Sequence, residues 1–215
     1  MGRPRKLVGI EEMPFVAGSL CLDLVNTTGA RATGAPRERL STYHDLLVWS
    51  ERAGIVDATA ARRLRSAARD READATRALA GVRQVREALY RLFLGIAERH
   101  HVDPKRVAHL GSLWRAAQSR QELVVSENGV ELRLVANKAD LDEMLWPIVL
   151  SAVELLTGRL HLLRRCAECD WLFLDESKNG SRRWCKSTCG NRARSRERYK
   201  RGRTADPAPM RIRRG

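Results

Sequence analysis

The sequence predicts an α+β fold: a mainly helical N-terminal domain carrying one β-hairpin, followed by a small treble-clef-like unit. Three observations carry that expectation. Apolar residues recur at three- and four-residue steps through most of the chain before residue 158, the signature of packed amphipathic helices. One pair of alternating segments meets at Glu127-Asn128-Gly129, and Asn-Gly is the strongest short hairpin turn. Four of the five cysteines fall between Cys166 and Cys189, spaced C-x2-C, fifteen residues, C-x3-C.

Composition narrows the class. A hydrophobic fraction of 43% over 215 residues is enough to build a core, so wholesale disorder is excluded. The start MGRPRKLVGIEEM lacks the apolar run that a secretory signal needs. The longest apolar stretch, Leu145 to Leu156, is short and interrupted by Glu154, which marks a core helix and not a membrane span. A cytoplasmic protein with no membrane partner is therefore expected, and in a reducing compartment paired cysteines favour metal over disulfides. The net charge of +14 is unevenly placed. Residues 7–158 hold 20 Lys/Arg and 20 Asp/Glu, whereas residues 159–215 hold 17 Lys/Arg against six acids. A basic end on a neutral body points to a polyanion partner for that end. Four regions result: a basic tail (1–12), a helical body (13–158), a finger with a basic helix (159–203) and a basic tail (204–215).

Gly2 to Lys6, GRPRK, resembles the core of an AT-hook, an arm whose arginines enter narrow minor grooves. Phe15 to Thr27 opens the folded body with a short helix capped by Ser19. Asp23 and Asn26 interrupt this apolar segment. Such groups must find hydrogen-bond partners, so they either tie neighbouring loops together or face a small-molecule pocket or dimer surface. Cys21, far from the other cysteines, reads as a small buried apolar residue. Ser41 or Thr42 caps the next helix, with Leu46, Leu47 and Trp49 toward the core and Gly54 as its stop. Asp57 starts a helix through about Arg69. A longer one runs from about Asp74 to His100, with Leu79, Val82, Val85, Arg86, Leu89, Leu92, Phe93 and Ile96 on one face. Pro104 opens a helix reaching about Gln118. After the hairpin, Asp140 begins an apolar helix in which Pro147 makes a kink or marks the first turn, and Gly158 ends it.

No enzyme is indicated. The five histidines are scattered without an H-E-x-x-H pair, and neither a phosphate-binding glycine loop nor a nucleophile elbow occurs. The chemistry lies in the cysteines. Two close pairs separated by a hairpin-sized segment wrap one tetrahedral zinc with Cys166, Cys169, Cys185 and Cys189. Four protein ligands leave no open position for water, so this one zinc ion is structural. Arg159 to Arg165 is expected to form a strand leading to the first pair. Trp171 and Phe173 supply a small core, Asp175 to Gly180 the turn, and Arg182 to Trp184 the return strand of a hairpin. The four-residue step from Cys185 to Cys189 puts the second pair on the first turn of a helix, where the positive helix end favours thiolates.

These residues carry a resemblance. Cys166-x2-Cys169, the aromatic-rich WLFLDESKN, Arg182-Arg183-Trp184-Cys185 and the string Cys189-Gly190-Asn191-Arg192 resemble the CGNR zinc-finger family. The body, with Gly18-Ser19-Leu20-x-Leu22-Asp23-x-Val25-Asn26-Thr27, is similar to the ABATE domain that precedes that finger. The resemblance covers about residues 13–203. It implies a stress-induced transcription regulator whose finger binds DNA and whose N-terminal domain senses or assembles. One departure is the spacer Lys186-Ser187-Thr188, where the family often has a methionine.

Downstream of Cys189 the helix presents arginines at helical steps. Arg192, Arg196 and Lys200 form one stripe and Arg194, Arg198 and Arg201 another, able to reach phosphates on both walls of a groove. Asn191 and Arg192 stand at the helix start for base edges or phosphate, and Arg182 and Arg183 add contacts from the hairpin. DNA is the expected partner, which would associate the protein with the bacterial nucleoid; RNA and a protein-adaptor role are the alternatives. An unknown small-molecule effector and a homodimer are left open.

Overall fold

The computed structural model describes residues 9–31, 35–127, 129–135 and 140–204, with side chains omitted at 202–204. The GRPRK arm, Asn128 of the hairpin turn and residues 205–215 lie outside the described residues.

After a 3-10 turn (Ile10–Glu12), the described part of the body opens with α1 (Leu20–Val25), α2 (Tyr43–Arg52), α3 (Ala58–Asp70), α4 (Glu72–Ala97) and α5 (Pro104–Gln118). Their ends follow local chemistry. Thr42 and Asp45 form a reciprocal capping box on α2, so two amides that the helix cannot satisfy itself are bonded by side chains. Asp57 accepts from the amides of Thr59 and Ala60 at the start of α3. Pro104 occupies the first turn of α5 behind Asp103. Ser19 sits at the cap position of α1 but makes no cap bond. Its hydroxyl is 3.0 Å from the Ser151 hydroxyl instead, tying α1 to a later helix.

The long α4 is the hub, touching α1, α2, α3 and α5. Its buried face carries Leu79, Val82, Val85, Leu89, Leu92 and Phe93, as the periodicity requires. Arg86 is buried in the same row, and its charge is balanced by Glu38 at 2.5 Å with a further bond to the Thr27 hydroxyl. The hairpin forms from β1 (Gln121–Ser126) and β2 (Gly129–Leu134), antiparallel, with Leu123 opposite Leu132 and Val125 opposite Val130.

The next helix departs from expectation at both ends. α6 spans Leu145–Glu154, five residues later than Asp140, so Pro147 lies in its first turn, where a missing N–H costs no intrahelical bond. Gly158 does not stop it: a π turn (Leu155–Arg159) carries the chain through the glycine into a 3-10 turn (Leu160–Leu162). Leu145–Leu162 reaches a mean hydropathy of 1.2 over 18 residues, enough by length and composition to cross a membrane. Its Ile148, Val149 and Ala152 are nevertheless fully buried, and the helix packs on α1 and α5. The predicted strand Arg159–Arg165 shrinks to β3 (Leu163–Arg165), because the preceding turns are still helical. β3 pairs antiparallel with β4 (Leu172–Leu174), and α7 (Ser187–Thr204) closes the described chain.

Candidate metal centre and nucleic-acid interface

The first cysteine pair sits in the turn of the β3–β4 hairpin. The Cys166 amide donates to the Trp171 carbonyl at 2.8 Å, and the Asp170 amide donates back to the Cys166 carbonyl at 3.1 Å, with Asp170 at φ 63°. This corrects the expected order. The hairpin is made around the knuckle itself, and the segment from 175 to 186 returns as a loop, not as a strand. That loop is folded by Asp175, whose carboxylate accepts from the Ser177 amide and hydroxyl and from the Arg182 amide. It delivers Cys185 just before α7 and Cys189 within its first turn.

All four sulfurs lie within 4.8 Å of one another. Cys169 is 3.5 Å from Cys185 and 3.6 Å from Cys189, and Cys185 is 3.8 Å from Cys189. Tetrahedral zinc with Zn–S near 2.3 Å sets sulfurs about 3.8 Å apart, whereas a disulfide needs about 2.05 Å. The four cysteines are thus positioned to bind one metal ion, and four soft, converging donors with no open position fit a structural zinc. Hydrogen bonds from Cys169 and Cys185 lower the Cys166 pKa, while their bonds to that thiolate push Cys169 up to about 12 and Cys185 up as well. Without a cation the cluster resists carrying more than one negative charge.

The residues around the cluster are spent on it more than the sequence suggested. Arg192 donates to Cys189 Sγ at 2.8 Å and its Nε lies 3.4 Å from Glu168, a knuckle residue whose side chain is only 3% exposed. Arg196 reaches the same Glu168 carboxylate at 2.7 Å. Two guanidiniums therefore clamp one buried carboxylate between the first cysteine pair and the helix, which orients the ligands and offsets thiolate charge. Arg192 thus leans toward the cysteine cluster, with its side chain still 31% exposed. Gly190 has a physical reason too, since a Cβ there would come 3.2 Å from the Trp184 ring. Arg182 donates to the Cys185 carbonyl at 2.8 Å and lies over Phe173. Arg183 and Arg194 lie over Trp184, and Arg194 also bonds Asn191 Oδ1 at 2.6 Å. Arg198, Lys200 and Arg201 are exposed. Of the predicted contact residues, the structure gathers Asn191, Arg194, Arg198 and Arg201 on one exposed side of α7 and turns Arg192 and Arg196 toward the knuckle. Glu168 was missed, although it stands as a lone acid inside C-x2-C on a basic segment; Asp175 was read as a turn residue, and it folds the loop.

A sequence model of the ABATE domain, described as a "putative stress-induced transcription regulator", matches residues 18–159. The chain belongs to the ABATE family. A CGNR zinc-finger model matches residues 163–202. Among curated proteins no match is found. Both family descriptions are regulatory or zinc-finger in kind, not enzymatic.

The ABATE motif residues turn out to hold the CGNR finger. Asn26 binds the backbone of Leu172 twice, donating through Nδ2 to its carbonyl at 2.9 Å and accepting its amide at 3.1 Å through Oδ1. The Leu174 amide donates to the Ala17 carbonyl at 2.8 Å. The body thereby satisfies the outer edge of β4 as a neighbouring strand would. Gly18, at φ 78°, lets the chain pass under Leu174, whose Cβ would be 3.3 Å from an added methyl. Asp23 accepts from the amides of Val16 and Ala17, both at 3.1 Å, and so fixes the segment that offers Ala17. Burial pushes the Asp23 carboxyl up to about 6 against those two bonds. Burial likewise pushes the Cys21 thiol up to about 11, in keeping with its apolar role. The hydrogen bonds of Asp23 and Asn26 go to backbone groups and tie neighbouring segments together. Arg165 of β3 completes the junction with Glu98 at the C-terminal cap of α4 and Asp170 of the knuckle.

Proposed function

We propose that the chain, a regulator by family, acts by binding duplex DNA through the exposed side of α7. The observation that carries this is the charge of that helix beside its anchorage: Arg194, Arg198 and Arg201 on one side, with Lys200 exposed on the Arg196 stripe, follow a first turn fixed by Cys189 and the Glu168 clamp. A helix about 10–12 Å across fits a major groove about 12 Å wide. In that pose Asn191, near the start of the helix, meets base edges, and the arginines beyond it meet phosphates. Bound zinc supplies the rigidity that keeps this helix at one angle to the hairpin. The protein groups do the rest: Arg183 and Lys186 extend the cationic surface from the loop, while Arg192 and Arg196 hold the knuckle. The ABATE body senses or assembles, and the protein works in the cytoplasm at the nucleoid.

Titrating duplex DNA across a salt series tests the reading. Six cations, Arg183, Lys186, Arg194, Arg198, Lys200 and Arg201, predict a slope of log K against log salt near −5. Replacing Arg194 and Arg198 with Ala should weaken binding and reduce the slope by about 2. Absence of duplex DNA binding at low salt would sink the proposal, and stronger competition by duplex RNA would transfer it to RNA.

A further inference from the structure

The β1–β2 hairpin presents an apolar face to solvent. Leu123 is 74% exposed, Val125 87%, Val130 69% and Leu132 59%, and strand pairing sets Leu123 opposite Leu132 and Val125 opposite Val130. All four point to one side of the two-stranded sheet; Glu122, Glu131 and Arg133 point to the other. The base of the hairpin is anchored. The Val135 amide donates to the Arg120 carbonyl at 2.8 Å, and Arg120 pairs with Asp140 and lies over Trp146. A fixed hairpin with an uncovered aliphatic face is a surface that association would bury.

We propose that this face is a homodimer interface, in which the hairpins of two copies stack face to face about a two-fold axis. Three features select a second copy as occupant. The face contains no charge, so it meets itself without repulsion, although the chain as a whole carries +14. Its Leu-Val and Val-Leu pairing looks alike from either strand, which suits an isologous contact. The four side chains offer on the order of 500 Å² of apolar surface per copy, hence roughly 1,000 Å² for the pair, the lower bound for a specific association. The proposal goes beyond the DNA-binding reading and does not need it. Where both hold, each dimer carries two α7 helices and engages two half-sites.

Sedimentation equilibrium of the zinc-loaded full chain without DNA tests it. The wild type should approach twice its 24.3 kDa mass as concentration rises. Val125→Glu with Val130→Glu places like charges across the contact and should raise the dimer dissociation constant roughly a hundredfold or more. Both positions are exposed, so an unchanged far-UV spectrum and zinc content will show that the variant is folded. A wild type at monomer mass throughout, or a variant that dimerises like the wild type, overturns the interface. Because no nucleic acid is present, that failure is separable from failure of the DNA-binding proposal.

Discussion

Replacing Asn26 with Ala should loosen the finger although Asn26 is remote in sequence from every metal ligand. The side chain makes two hydrogen bonds to Leu172, at 2.9 and 3.1 Å, within a fully buried contact. Truncation leaves a buried carbonyl and a buried amide without partners, at about 1–3 kcal/mol each, so the expected loss is about 2–6 kcal/mol. Against a total stability of about 5–15 kcal/mol that is a large share. Asn26→Asp should be at least as damaging at pH 7: it keeps an acceptor for the Leu172 amide but sets a carboxylate oxygen against the Leu172 carbonyl. Urea denaturation of the zinc-loaded protein measures the loss, and transfer of zinc to a colorimetric chelator should quicken in both variants. Asn191→Ala, at an exposed position on the same finger, serves as the control and should change stability by less than about 0.5 kcal/mol. An Asn26→Ala protein as stable as that control, with an unchanged rate of zinc loss, would refute the reasoning.

Asp23 makes stability depend on pH. Its folded pKa of about 6 lies above the ordinary 3.8, so the folded state holds the proton more tightly; the benefit is complete below about pH 4 and is lost as pH rises through 6. Between pH 5.5 and 8 the protein should lose on the order of 1 kcal/mol that Asp23→Asn, which retains an acceptor oxygen, does not lose. Glu168→Gln removes the charge that neutralises Arg192 and Arg196, and on the DNA-binding reading it should steepen the salt slope by about one unit in a fluorescence titration. Stripping the metal should release one zinc per chain and unfold the finger, seen as changed near-UV signals from Trp171 and Trp184; an unaltered spectrum after full zinc release would count against a structural role.

The periodic helices were legible because their signals are local. The caps at Thr42 and Asp57, the opening Pro104 and the stripe from Leu79 to Phe93 need no tertiary information. The cysteine spacing was legible for a related reason: a tetrahedral ion imposes its own geometry on short loops. A misread segment was 155–165, where helix and strand propensities compete; a π turn continues from α6 through Gly158. The roles of Arg192 and Arg196 were hidden for another reason. Helical spacing gives a side chain's direction but not its partner, and the partner, Glu168, lies 24 residues before Arg192 and 28 before Arg196. Asn26 shows the same limit over 146 residues: the sequence says that its amide must be satisfied, and only the fold says by Leu172.

The junction between body and finger constrains how they can communicate. A finger on a flexible linker would unfold by itself, and denaturation would then show two transitions with zinc affecting only one. Here β4 is covered on its outer edge by Ala17 and Asn26, its side chains Leu172, Phe173 and Leu174 are buried in the core that also holds Leu22 and Leu24, and Arg165 is held by Glu98 at the end of α4. Zinc fastens the other end of the same hairpin. Ordering of β4 is therefore shared by both parts, and linkage makes the effect reciprocal: whatever stabilises the ABATE body slows zinc loss, and bound zinc stabilises the body. A single cooperative transition should result, with a midpoint that rises with zinc and falls in Asn26→Ala when followed by body tryptophans such as Trp49. Two separate transitions would mean that the shared strand edge contributes too little to couple them.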